Sequence, residues 1–305
     1  MKSLQITGYD GEQRIVVADT PVPSPGPDDV LVRVAAAAIN PLDVKLARGY
    51  LQDFFPLSFP YVLGTDLAGT VHAVGARVTG FVPGDNVLAR TETTQGGAFA
   101  EWAVVPARLA ARVPAGLDLD AAAALPTVGG TAWQALFEIA RITSSTRLLV
   151  TGGAGSVGGM AVRLAASIGA RVHATARERD LDTAKRLGAD QVFDARAKLE
   201  LRDLDLVFDT VGGDGQHGLF ALLRDGAMLA AIPGPPDAEA GLARNIDTRF
   251  VVHASDGSRL AVMASYCAAR GLWPAADRVM PLGAGREAVA LVASGQARGK
   301  ILLCP

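Results

Sequence analysis

Gly153, Gly155 and Gly158 are spaced Gly-x-Gly-x-x-Gly between an apolar run, Leu148 to Val150, and the residues Val157, Met160, Leu164 and Ile168, which recur at helical intervals. Strand, glycine turn and helix in that order suit one task, the holding of a diphosphate. The first glycine allows a tight turn, the second lets backbone approach the phosphates, and the third lets helix pack closely on strand. The helix then opens at Ser156 and Val157 with N–H groups that lack intrahelical partners and with a partial positive charge. A Gly-x-Ser-x-Gly nucleophile turn is the rival reading of this loop. Its register fails, because Ala154 stands where the first glycine would have to be.

A dinucleotide held in this way is selected at the end of the second strand, about 20 residues on, where an acidic residue bonds the ribose hydroxyl of NAD. Here that strand ends in Thr175-Ala176-Arg177, with no carboxylate. Arg177 and Arg196 can accept a 2′-phosphate, so NADPH is the expected cofactor, with Glu178 as the local charge opposing it.

The elements that must position these residues fall into two kinds. Residues 1–125 read as β-rich, with short strands at 4–7, 14–18, 30–37, 69–74 and 86–89. Turns such as Tyr9-Asp10-Gly11, Pro23-Ser24-Pro25-Gly26-Pro27 and Pro83-Gly84-Asp85 separate them, the pattern of a barrel or sandwich. Over 126–254, strands at 148–151, 171–175, 191–193, 206–209, 228–232 and 250–253 alternate with helices at 156–168, 181–187 and 216–223. That alternation implies a doubly wound parallel sheet. Residues 255–305 add helices at 258–269 and 285–293 and strands at 278–281 and 301–304. The α/β part therefore reads as inserted in a unit to which both ends of the chain contribute.

Half of the 305 residues are hydrophobic, a fifth are charged, and the net charge is -2. Nothing in that balance favours nucleic acid or an anionic membrane. The first residues alternate like a strand and lack signal-peptide features, and no later run has the length of a membrane span, so a cytoplasmic location is expected. Cys267 and Cys304 have no metal-ligand spacing and read as buried or incidental thiols.

An ordered set of motifs runs along nearly the whole chain: Ala37-Ala38-Ile39-Asn40-Pro41-Leu42-Asp43, Gly64-Thr65-Asp66-Leu67-Ala68-Gly69, Pro83-Gly84-Asp85-Asn86-Val87 and Gly96-Gly97-Ala98-Phe99-Ala100-Glu101. Leu125-Pro126 with Thr131-Ala132-Trp133, the glycine loop, Leu187-Gly188-Ala189-Asp190, Asp209-Thr210-Val211-Gly212-Gly213 and Arg298-Gly299-Lys300-Ile301 follow. In this order they resemble the medium-chain dehydrogenase/reductase superfamily, and in particular its zinc-free quinone oxidoreductase branch. The resemblance implies a β-rich GroES-like catalytic domain (1–125, with 255–305 returning to it) around a Rossmann NADP-binding domain (126–254). Nicotinamide and substrate are then expected in the cleft between the domains. In the zinc alcohol dehydrogenases of the superfamily a cysteine stands at the position of Asn40 and a His-Glu pair at those of Thr65 and Asp66. The ligands that remain here do not make a soft tetrahedral site, so no metal is expected.

Hydride transfer from reduced nicotinamide to a quinone or an α,β-unsaturated carbonyl needs no strong Lewis acid, and this is the expected activity. Alternatives are an enoyl-thioester reductase and a non-catalytic NADPH-binding sensor or structural protein. The resemblance places Asn40 beside the nicotinamide, as a donor to a carbonyl or to the ribose; a turn-capping role before Pro41 is compatible with that. Tyr50 is either a proton donor near the substrate or a packing residue, and Asp43 either orients Asn40 or caps a short helix. Thr127 and Thr131 are placed near the nicotinamide, with a helix start as the rival reading of Thr127, and Val211 and Ile232 complete the cofactor-binding set with Lys300, which is otherwise a surface-turn residue. Phe54, Phe55, Phe59 and Tyr61 wall a flat apolar pocket or belong to the core. His72, His173, His217 and His253 are isolated from one another and read as structural or exposed. Edge pairing of the last Rossmann strand, near 249–253, would make a homodimer.

Overall fold

The computed structural model describes residues 1–9 and 11–305; Asp10, the centre of the expected Tyr9-Asp10-Gly11 turn, lies outside the described residues. The chain forms two compact units, residues 1–127 with 255–305, and residues 128–254.

In the first unit, a seven-stranded sheet among the described residues is built on the long strand Asp29–Ala38. Its Val30, Val32 and Val34 alternate into a core shared with Leu67, Val87, Val105 and Ile301. Antiparallel pairing sets Ala38 opposite Asp66, and Asp66 opposite Arg90. The C-terminal strand Lys300–Cys304 pairs Leu302 with Ala38, and Ile39 N–H bonds Ile301 O at 3.0 Å. Continuing that register brings Asn40 opposite Lys300. Four chain segments thus deliver Asn40, Asp66, Arg90 and Lys300 to one end of the sheet. Gly64 sets the entry to Asp66: its φ is +91°, and a Cβ there would lie 2.2 Å from the Phe99 ring.

The second unit holds six parallel strands. Arg147–Val150 lies at the centre of the strand order, between Arg171–Ala176 and Leu204–Asp209. Leu148, Leu149 and Val150 are fully buried, as a strand covered on both faces requires. The order reverses at this strand, so the glycine loop that follows it sits at the switch point where such sheets bind ligands.

Several boundaries move. The last Rossmann strand is Asp247–Phe250 rather than 250–253, and 251–256 has no regular structure. The helix expected at 216–223 is a single turn, Gln216–Leu219, followed by a 3-10 turn, because Leu223 already begins the next strand. Strands Tyr61–Val62, Trp102–Pro106 and Ala110–Arg112 are additional; they are short and flanked by no strong turn dipeptides. Among the described residues no helix is long and apolar enough to cross a membrane.

Candidate functional site

The glycine loop closes on itself and on the second strand. Gly153 N–H donates to Thr175 O at 2.8 Å, Gly152 N–H to Thr175 Oγ1 at 3.3 Å, and Gly155 N–H to Gly152 O at 2.8 Å. A Cβ on Gly158 would meet Gly152 O at 2.2 Å, so the third glycine is required by backbone packing. Helix Ser156–Ser167 is capped by Gly155 with no side-chain hydrogen bond. The first-turn N–H groups, which have no partner within a helix, are therefore left for an anion. Thr175 is buried and spends its hydroxyl on the loop.

Beyond the second strand, Arg177 is exposed and its Nε donates to Asp180 Oδ2 at 3.0 Å, which holds the guanidinium by one edge. Arg196 is exposed, and its backbone N–H bonds Asp194 Oδ1 at 2.7 Å. The neighbouring switch-point loop is organised by Asp209. Its Oδ1 accepts from Thr151 Oγ1 at 2.6 Å and from the N–H groups of Val211 and Gly212 at 3.0 Å each, and its Oδ2 from Gln216 at 2.7 Å. Val211 is thereby held in place with its side chain exposed, and Ile232 N–H bonds Asp209 O at 3.1 Å.

The first unit carries a buried polar cluster. Asn40 is 1% exposed. Its Oδ1 accepts from Lys300 Nζ at 2.6 Å, and its Nδ2 donates to Asp66 Oδ2 at 3.0 Å and to Ala38 O at 3.3 Å. Both amide hydrogens are engaged inside the unit, and the open capacity of the side chain is one Oδ1 lone pair. Asn40 also starts helix Pro41–Ala47, where Asp43 Oδ2 accepts its N–H at 2.7 Å. Asp43 thus both supports the helix start and fixes the Asn40 backbone.

Lys300 is 2% exposed and donates also to Ile39 O at 2.9 Å, which removes the surface-turn reading. Burial pushes the pKa of its ammonium down. Asp66 accepts three hydrogen bonds: besides Asn40, from Thr127 N–H at 3.0 Å and from Thr127 Oγ1 at 2.6 Å. Asp43 is fully buried with Oδ1 unpartnered, and burial pushes its pKa up to about 7.

Tyr50 stands apart from this cluster, 68% exposed, beyond Gly49. Phe54 is exposed as well, whereas Phe59 packs edge-on against Tyr9 at 4.9 Å and Tyr61 is a core residue whose hydroxyl bonds Thr93 O at 2.7 Å. Thr127 joins the cluster, and Thr131, one turn along helix Pro126–Trp133, is buried in the second unit. The parts played by Asp66 and Asp209 were not read from the sequence. For Asp209 the available signal was a charged residue at the end of an apolar strand, in Leu206-Val207-Phe208-Asp209. Among the described residues no group of three or more His, Cys, Asp or Glu side chains is arranged to hold a metal ion.

Residues 26–115 match the alcohol dehydrogenase GroES-like domain family, and residues 187–303 the zinc-binding dehydrogenase family. A 2-methylene-furan-3-one reductase of Solanum lycopersicum is 32% identical over 324 aligned positions, covering 100% of this chain and 79% of that protein. A chloroplastic quinone-oxidoreductase homolog of Spinacia oleracea is 38% identical over 200 residues, 64% of this chain and 61% of the spinach protein, so the match spans less than two thirds of that relative. A solved structure described as an NAD-dependent alcohol dehydrogenase superposes with a TM-score of 0.92 at 30% identity, over 100% of both chains. The chain belongs to the medium-chain dehydrogenase/reductase superfamily, in its quinone oxidoreductase-like branch.

Proposed function

We propose that the chain is an NADPH-dependent reductase of quinones or α,β-unsaturated carbonyl compounds that needs no catalytic metal. The observation that carries this reading is the hydrogen bonding at Asn40 and Asp66. Where the zinc alcohol dehydrogenases set soft ligands, this chain has an amide oxygen already accepting from an ammonium and a carboxylate that accepts three hydrogen bonds. Zinc does not fit that donor set, since it would have to displace these bonds beside a buried positive charge.

A dinucleotide fits the second unit. The uncapped first turn of helix Ser156–Ser167 takes the diphosphate, with Gly153, Gly155, Ser156, Val157 and Gly158 forming the cradle. Arg177 and Arg196, both exposed, take the 2′-phosphate, with Asp180 holding Arg177 by Nε and leaving its terminal nitrogens for oxygen acceptors. Thr175 supports the loop from below, and Val211 and Ile232 border it. When bound, the nicotinamide supplies a hydride to the electron-poor carbon of the acceptor. Asn40 offers its Oδ1 lone pair to a ribose hydroxyl, Lys300 fixes the amide from behind, Thr127 and Thr131 border the nicotinamide, and the exposed Tyr50 phenol donates to the acceptor oxygen. The names of two relatives, a quinone-oxidoreductase homolog and a 2-methylene-furan-3-one reductase, fit this chemistry. Among the described residues, strand Asp247–Phe250 ends its sheet with an unpaired edge, and pairing of two such edges gives a homodimer, which light scattering tests.

NADPH oxidation measured with benzoquinones, naphthoquinones, 2-alkenals and enoyl thioesters tests the activity. Turnover of the quinones or alkenals is expected. Turnover of thioesters alone identifies an enoyl-thioester reductase, and tight NADPH binding with no oxidation identifies a sensor or structural protein.

A further inference from the structure

Arg90 has no role in the reading above, yet its guanidinium is placed with unusual economy. It ends strand Asn86–Arg90, opposite Asp66 in the register, and is 7% exposed. Among the described residues it makes no direct ion pair within 4.0 Å; the Thr127 hydroxyl lies between the two charges instead. Arg90 Nε donates to Thr127 Oγ1 at 3.1 Å, and that hydroxyl donates to Asp66 Oδ1 at 2.6 Å. The NH1 group of the same guanidinium donates to Ser255 Oγ, which also reaches Thr91 O at 3.5 Å. Thr127 and Ser255 are the residues at which the chain leaves the first unit and returns to it.

We propose that Arg90 is a positioning residue that ties both chain crossings together and, through the Thr127 hydroxyl and the Asp66 carboxylate, fixes the orientation of the Asn40 amide. The hydrogen bonds are continuous from Ser255 to Arg90, Thr127, Asp66, Asn40 and Lys300. Arginine is required because its planar fork aims Nε and a terminal nitrogen at two separate hydroxyls, whereas a lysine brings a single charged nitrogen. With Arg90 removed, Ser255 loses a donor and the Thr127 hydroxyl loses the donor that aims its proton at Asp66 Oδ1, so the carboxylate is oriented less firmly toward Asn40. The link to catalysis rests on the proposed role of Asn40; the link to the crossings does not.

Hydrogen exchange followed by mass spectrometry on the full chain, comparing wild type with Arg90→Met and Arg90→Lys, tests this. In Arg90→Met the amides of 124–131 and of 253–257 are expected to exchange together at least tenfold faster, with the remaining sheet of the first unit unchanged. In Arg90→Lys only one of the two segments is expected to keep its protection. In NADPH oxidation, kcat of Arg90→Met is expected to fall about tenfold with KM for NADPH changed less than threefold. Unchanged exchange at either crossing in Arg90→Met, or acceleration spread evenly over the first unit, overturns the proposal. If Arg90→Met does not fold, Arg90→Lys decides: unequal protection of the two segments supports the clamp, and equal protection overturns it. The exchange readout needs no substrate, so a protein that reduces nothing would defeat the proposed activity and leave the clamp standing or falling on its own.

Discussion

Lys300 Nζ lies 2.6 Å from Asn40 Oδ1, and both side chains are almost wholly buried although 260 residues separate them in the chain. A charge-assisted bond of this kind is shorter and stronger than a neutral one, and here it decides which end of the amide faces Asp66. Lys300→Met leaves Asn40 Oδ1 without a donor and removes a cation near two buried carboxyls. The expected loss is about 2–3 kcal/mol in urea unfolding, with a marked fall in kcat/KM.

Asp43 gives the fold a pH dependence. Burial raises its folded pKa to about 7, well above the usual carboxylate range, so the folded chain holds this proton more tightly than the unfolded chain. Its contribution to stability is full below about pH 4 and declines as pH rises toward 7, after which it stays constant. Asp43→Asn, which cannot ionise, is expected to flatten thermal stability across that window, losing less between pH 4 and pH 8 than the wild type does.

How much of this was legible in the sequence follows from the range of the forces involved. The glycine loop is local: strand, turn and helix lie within 24 residues, and Gly158 packs against the backbone of the loop itself, at Gly152 and Gly153. The parallel sheet was legible for the same reason, since each strand and helix carries its own period. The polar cluster is not local. Sequence reading could place Asn40 and Lys300 in the same protein but could not see that the register Leu302 to Ala38 makes them neighbours. Lys300 therefore read as a surface or cofactor residue, and Asp66 as the place of a missing zinc ligand rather than as the acceptor of three hydrogen bonds. The strand expected at 250–253 was misplaced because Phe250, Val251 and Val252 look β-prone, while the strand that forms, Asp247–Phe250, is largely polar.

Gly158→Ala tests the cradle. The added methyl would sit 2.2 Å from Gly152 O, and backbone must shift to admit it. Overpacking of this kind costs about 1–3 kcal/mol, and NADPH affinity, measured by fluorescence titration, is expected to fall more than stability does, because the shift moves the first-turn N–H groups.

Arg177→Ala tests cofactor choice. The guanidinium is exposed and held by Asp180, so its contribution to a 2′-phosphate is modest. NADPH binding is expected to weaken by roughly tenfold, about 1.4 kcal/mol, with NADH binding unchanged. Equal weakening for both cofactors in isothermal titration would place Arg177 away from the phosphate.

Metal-free reduction at NADPH expense is tested by NADPH oxidation with 1,4-benzoquinone and a 2-alkenal before and after dialysis against 1,10-phenanthroline. Turnover of at least one acceptor, a preference for NADPH over NADH, and rates unchanged by the chelator are expected. Loss of activity on chelation with recovery on adding zinc, or NADPH bound but never oxidised by either acceptor, would contradict it.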